Sequence, residues 1–246
     1  MSGINAYFDV IHQHLTRVEQ EEAASIEAAV SLLVDAIKSD HNIFVFGASH
    51  AGILSNELTY RAGGLATINP VEVPELNLAT RPITETSRME REPGFGTTIA
   101  ASIPIEPGDV VLTHSVSGRN TVMIDFAQAV KAKGASIVAI TNMTYSKGVN
   151  SRHPSGLRLF EIADVVIDNH GVEGDAVIKF DSLPQQVGPT STVVGAAIVN
   201  GIVVGVTEAL LDQGLIPPIF FSANLDGGDK HNQEIFKKYK KHIFYM

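Results

Sequence analysis

The chain has 246 residues, enough for one large domain or two small ones, and a chain of this length buries about 70–75% of its unfolded surface without needing a staple. It has no cysteine, which excludes disulfides, thiolate metal sites and cysteine nucleophiles. Apolar types make up 44% of the residues against 18% charged, unlike a disordered chain, and 27 acidic residues against 18 basic ones argue against nucleic acid or an anionic membrane as partner.

The stretch from Met1 to Tyr7 has neither a basic start nor an apolar run, so no secretory leader is read and a cytoplasmic location is expected. Residues 4–39 read as two helical stretches, the second carrying a stripe of Ile26, Val30, Leu33, Val34 and Ile37. Asn42 to Phe46 is a short continuous apolar run stopped by Gly47, the pattern of a parallel strand buried on both faces. A helix over 51–63 ending at Gly63-Gly64, a strand over 66–73 and a strand over 109–113 follow. Next comes a helix with Val122, Phe126 and Val130 on one face and Gly134 as its C-cap, then strands over 136–140 and 163–167.

From Val193 to Leu211 the chain is apolar except for Asn200, Thr207 and Glu208, long enough to span a bilayer. Its small residues (Gly195, Ala196, Ala197, Gly201), a glutamate near its end and the lack of basic or aromatic flanks point instead to a helix buried on all sides or at a subunit interface. The 189–213 segment is therefore expected to join copies into a homodimer or homotetramer, with no membrane partner. The basic run Lys237 to Lys241 reads as a solvated tail face. Residues 74–108, 141–162 and 214–246 are less regular, and neither a long linker nor an internal repeat divides the chain. The expectation is one domain: N-terminal helices to residue 40, an α/β core over 41–213 and a tail from 214. Its class is α/β, a three-layer αβα sandwich around a doubly wound, five-stranded parallel sheet.

Ligands of such sheets bind beyond the carboxyl ends of the strands. There the sequence places Ser49 and His50 after the first strand, with Ser49 positioned to cap the next helix. Ser115, Ser117, Gly118 and Asn120 follow the third strand, and Thr190, Ser191 and Thr192 precede the long apolar helix. Three hydroxyl-bearing helix starts on one rim make an anion site without lysine, and phosphate is the natural ligand; each loop alone also has the plainer reading of a structural cap. Neither G-x-G-x-x-G after the first strand nor G-x-x-x-x-G-K-[ST] is present, so no nucleotide cofactor is indicated.

Phe46-Gly47-Ala48-Ser49, Ser115-Val116-Ser117-Gly118-Arg119-Asn120, Ile140-Thr141-Asn142 and Ala163-Asp164 together resemble the sugar isomerase (SIS) domain over about residues 30–213. Its members bind phosphosugars with an S-x-S-G-x-[ST] loop. Ser49-His50 followed by Glu57-Leu58-Thr59-Tyr60-Arg61 is most similar to the phosphoheptose isomerase branch. Three departures stand out. Asn120 replaces the usual third hydroxyl, the last core helix lacks the histidine that phosphoheptose isomerases place there, and Thr144 to Glu161 expands a usually short link.

Aldose–ketose isomerisation through an enediol needs a carboxylate over the reacting carbons and a group that moves the oxygen protons. Glu57, eight residues after Ser49, would lie about 12 Å along a helix, at the far end of a sugar whose phosphate sits at the helix start, with His50 on the same stripe. A surface pair of Glu57 with Arg61 at i+4 is the competing reading, as a polar loop residue is for His50. Because SIS enzymes commonly complete a site with a neighbouring subunit's C-terminal segment, the resemblance implies His231 or Lys230 as the missing acid/base; an exposed loop is the alternative. The other histidines show no metal-ligand spacing, so no metal is expected. The sequence thus favours a sugar-phosphate isomerase and leaves open a lyase, an etherase, an amino-sugar-phosphate isomerase or a non-catalytic phosphosugar-binding regulator. No basic helix-turn-helix supports the last.

Overall fold

Residues 3–246 are described in a computed structural model; Met1 and Ser2, the start of the stretch read for a leader, lie outside them. Two helices, α1 (Gly3–Glu21) and α2 (Ala23–Lys38), lead into β1 (Ile43–Gly47). A 3₁₀ turn over Ser49–Gly52 opens α3 (Ile53–Leu58), and β2 (Ile68–Pro70), α4 (Thr84–Met89), α5 (Phe95–Ser102) and β3 (Val110–His114) follow. Then come α6 (Thr121–Ala132), β4 (Ser136–Thr141), α7 (Met143–Gly148), β5 (Val165–Asp168), the hairpin of β6 (Ala176–Ile178) and β7 (Val187–Pro189), α8 (Ser191–Asp212) and α9 (Gly228–Lys238).

The sheet runs β2-β1-β3-β4-β5, all parallel. This is the doubly wound order in which the chain leaves β1 first to one side and then to the other, so a crevice opens at the carboxyl ends of β1 and β3. Strand side chains alternate between two cores. Ile43, Val45, Val110, Leu112, Val138 and Ile140 face α2, α3 and α8. Phe44, Phe46, Val111, Ile137 and Ala139 face α5 and α6. Both faces being covered explains why these strands are continuous apolar runs. Each fully buried Phe, Leu or Ile contributes roughly 1.5–3 kcal/mol, so the sheet is a rigid platform for its loops.

Several expected elements are shorter than their sequence pattern. The helix expected over 51–63 begins as a 3₁₀ turn and ends at Leu58, because the Thr59 hydroxyl donates back to the Ser55 carbonyl at 2.7 Å and Tyr60 takes a left-handed φ of 42°. The strand expected over 66–73 pairs only through Ile68–Pro70, at the sheet edge, where a proline costs no ladder bond. Gly134 stands one residue past the α6 cap at φ 83°, the left-handed conformation of a helix C-terminus. The segment 74–108 holds α4 and α5, and the tail holds α9.

The apolar helix α8 is a core helix on one side only. Added Cβ atoms at Gly195 and Gly205 would stand 2.7 Å from Leu54 and 2.9 Å from Val30, so these small residues admit α3 and α2 within the chain. The opposite stripe, including Val193, Gly201, Val204 and Leu211, is exposed, so of the two alternatives expected for this helix, burial on all sides within one chain is ruled out and a subunit interface stays open.

Candidate functional site

At the carboxyl end of β1 the chain turns within five residues. A Cβ on Gly47 would stand 2.5 Å from the Ala51 carbonyl oxygen, so only glycine fits, and Ser49 takes a φ of 53°. That backbone turns Ser49 away from helix capping: the N-cap is Ala48, without a side-chain bond, and the Ser49 hydroxyl donates to Glu90 Oε1 at 2.6 Å. At the end of β3, the Thr141 hydroxyl donates to the Ser115 carbonyl at 2.6 Å, while the N–H groups of Asn142 and Leu159 donate to the carbonyls of Val116 and Gly118. The loop Ser115–Asn120 is thereby fixed from behind. Gly118 serves this packing, with φ 57° and space for a Cβ only 3.1 Å from Ser146 Oγ; it does not line the cleft as a ligand contact.

Between these loops lies a cleft of about 440 Å³, of the size that holds a small ligand. Ser49, His50, Ser115, Ser117 and Asn120 line it as the sequence predicts, joined by Thr84, Ser87, Glu90, His114, Tyr145 and Asp175. The hydroxyls of Ser115 and Ser117 make no hydrogen bond among the described residues, leaving two donors free. Glu90 spans the two loops, since its other oxygen accepts from Asn120 Nδ2 at 2.6 Å. His114, at the end of β3, is buried. Its Nδ1 lies 3.1 Å from the Ala51 carbonyl and its Nε2 has no partner. Burial holds its proton affinity below the usual histidine value, so the ring is neutral near pH 7 with its Nδ1 proton on the carbonyl. Among the described residues no group of three or more His, Asp or Glu side chains is placed to hold a metal.

Three expectations are corrected. The start of α8 is closed by the chain itself: Asp175 Oδ1 accepts from the N–H groups of Thr190 and Ser191 at 3.1 and 2.9 Å, and Oδ2 accepts from the Ser191 hydroxyl at 2.6 Å. Thr190, Ser191 and Thr192 therefore do not line the cleft; Asp175 does. Glu57 is also outside its wall. Because the intervening turn is 3₁₀, with about 2 Å rise per residue and a different winding, the stripe expected to join His50 and Glu57 is broken. Glu57 pairs instead with Arg61 and accepts from Asn200 Nδ2 of α8 at 2.7 Å. His231 lies on α9, stacked on Phe221 with ring centroids 3.7 Å apart and Nε2 3.0 Å from the Ile219 carbonyl, and does not line this chain's own cleft; the expectation for it concerns the cleft of a neighbouring subunit. Glu90 and Asp175 lie in stretches the sequence read as irregular, Glu90 just past α4, and no spacing signal marked either.

A family model described as the SIS domain matches residues 6–142. The chain belongs to the SIS domain family. SIS relatives over the full length include UPF0309 proteins of Shouchella clausii, 47% identical over 246 residues, and of Oceanobacillus iheyensis, 44% identical over 246 residues, each match covering 100% of both chains. The SIS fold is also that of a phosphoheptose isomerase from Neisseria gonorrhoeae, with TM-score 0.54, 14% identity and coverage of 85% of this chain and 97% of that one. A phosphoheptose isomerase from Francisella tularensis superposes with TM-score 0.52 at 16% identity, covering 83% and 96%.

Proposed function

We propose that the cleft binds a phosphorylated sugar and interconverts its aldose and ketose forms through an enediol. The observation that carries this reading is the convergence, at the carboxyl ends of β1 and β3, of two unpartnered serine hydroxyls, an exposed histidine and a carboxylate in one cleft. In this reading Ser115 and Ser117 donate to the phosphate. Glu90 takes the proton from the carbon beside the carbonyl and returns it to the neighbouring carbon. His50, at the mouth, moves the matching proton between the two sugar oxygens, so bonds and charge balance over the cycle.

The bare stripe of α8 favours a second reading of the base. If copies pair through Val193, Gly201, Val204 and Leu211 as a homodimer or homotetramer, Glu57, beside that stripe, would face a second copy's cleft, and His231 would enter only by such sharing. Incubation with a sugar phosphate in deuterated water separates these readings. Exchange beside the carbonyl that falls by about 10²–10⁴ in Glu90→Gln and not in Glu57→Gln supports Glu90 as base. Loss confined to Glu57→Gln, in a protein that light scattering finds oligomeric, moves the base to the shared site. Binding without exchange in the unaltered protein would sink catalysis and leave a phosphosugar-binding regulator.

A further inference from the structure

The chain is acidic, yet it leaves three cations unpaired beside the cleft. Of its eight arginines, Arg17, Arg61, Arg88 and Arg158 each hold a glutamate, and Arg81 donates to the carbonyls of Leu78 and Thr80. Arg91, Arg119 and Arg152 have no carboxylate partner among the described residues. They are neighbours. The Arg152 N–H donates to the Arg119 carbonyl at 2.9 Å, and Arg91 follows Glu90 in the chain. Partial burial, then the positive charges of Arg119 and Arg91, depress the proton affinity of the Arg152 guanidinium. Arg119 Nε is sealed from solvent without an acceptor, an expensive state for a charged donor.

Asn120 ties these groups to the cleft. Its Oδ1 accepts from Arg152 at 2.8 Å, while its Nδ2 donates to Glu90. Glu90 is the one carboxylate in this network, so three guanidinium charges stand against one negative charge. All three come from regions where this sequence departs from the SIS pattern or lacks regularity: Asn120's own loop, the expanded 144–161 segment and the 74–108 segment.

We propose that Arg91, Arg119 and Arg152 form a second anion site at the edge of the cleft, so that the ligand is a sugar phosphate bearing a second acidic group, a carboxylate or another phosphate. This rests on reading the cleft as a phosphosugar site. A guanidinium fork matches either group through paired N–H donors, and a second anion supplies the acceptor that Arg119 Nε lacks.

The test compares probes that share a phosphate end, by calorimetric titration of the full chain at low salt. Glucose 6-phosphate is set against 6-phosphogluconate, which adds a carboxylate, and fructose 6-phosphate against fructose 1,6-bisphosphate, which adds a phosphate. Tenfold or greater tightening in either pair, lost in Arg119→Gln and Arg152→Gln and largely kept in Arg119→Lys, is the expected result, and the pair that tightens identifies the second group. Thermal melts of the variants confirm that they are folded. Equal affinity within both pairs, or tightening that survives both glutamine variants, overturns the proposal while leaving a phosphosugar cleft intact. If no probe binds, the underlying reading falls and takes this one with it.

Discussion

The loop from β3 into α6 and the loop into α8 both place hydroxyl side chains at a helix start, and in the sequence they look alike. The fold treats them differently. At β3, Thr141 and two backbone N–H groups hold the loop through its carbonyls, so the hydroxyls of Ser115 and Ser117 remain open to the cleft. At α8 the carboxylate of Asp175 already receives two N–H groups and the Ser191 hydroxyl, and the negative charge sits where the helix dipole favours it. A helix start is an anion site only if no carboxylate of the chain reaches it first, and that depends on residues far away in sequence.

Replacing Asp175 should break this contrast most strongly. Asp175→Ala leaves two N–H groups and a hydroxyl at a buried helix start without an acceptor, and stability should fall by about 2–3 kcal/mol, the range of charge-assisted hydrogen bonds. Asp175→Asn, which keeps one acceptor oxygen, should lose less. Thermal melts check both; an unchanged melting temperature in the alanine variant would mean that the α8 start is not held by this carboxylate. Ser115→Ala and Ser117→Ala should behave in the opposite sense. Each should weaken phosphosugar binding by about 1–3 kcal/mol in titration calorimetry and leave stability within about 0.5 kcal/mol, because neither hydroxyl has a partner in the chain to lose. Full affinity in both would remove the phosphate assignment.

What was legible in the sequence follows the same division. The five parallel strands were readable because burial on both faces makes their central runs apolar, and the S-x-S-G loop because a left-handed Gly118 and two hydroxyls stand at one strand end. The short β2 and α3 were overread because Pro70 and the Thr59 back-bond act below the scale of periodicity. Glu90 and Asp175 were not legible. Glu90 reaches Ser49 across 41 residues, and Asp175 reaches Ser191 across a hairpin that the sequence pattern did not reveal.

Acidification separates the floor of the cleft from its rim. His114 is held neutral by burial in the folded chain, so its folded value lies below the 6.5 of an unfolded histidine, and His14 is shifted the same way by burial and the nearby charge of Arg17. As pH falls below about 6.5, the unfolded chain takes up protons that the folded chain refuses, and stability declines; above that pH the contribution is fully present. Denaturant melts from pH 7.5 to 5 should record the decline, and His114→Gln should flatten it. A slope that His114→Gln leaves unchanged would assign the loss to other groups.

The smallest effect is expected at Glu57. Its pair with Arg61 is half in water, and an exposed i,i+4 pair contributes about 0.3–0.5 kcal/mol. Glu57→Gln keeps a carbonyl oxygen for Asn200 Nδ2, so the contact between α3 and α8 survives and only the charge is lost. The melting temperature should therefore shift by little more than that pair is worth, and less in high salt, where the pair is already screened. A loss above about 1.5 kcal/mol would mean that Glu57 pins α3 to α8, which a surface pair does not do. The result also bears on the choice of base: a carboxylate whose removal costs almost nothing in stability is free to face a second copy, whereas Glu90, held by Ser49 and Asn120 at 2.6 Å each, is fixed within its own cleft.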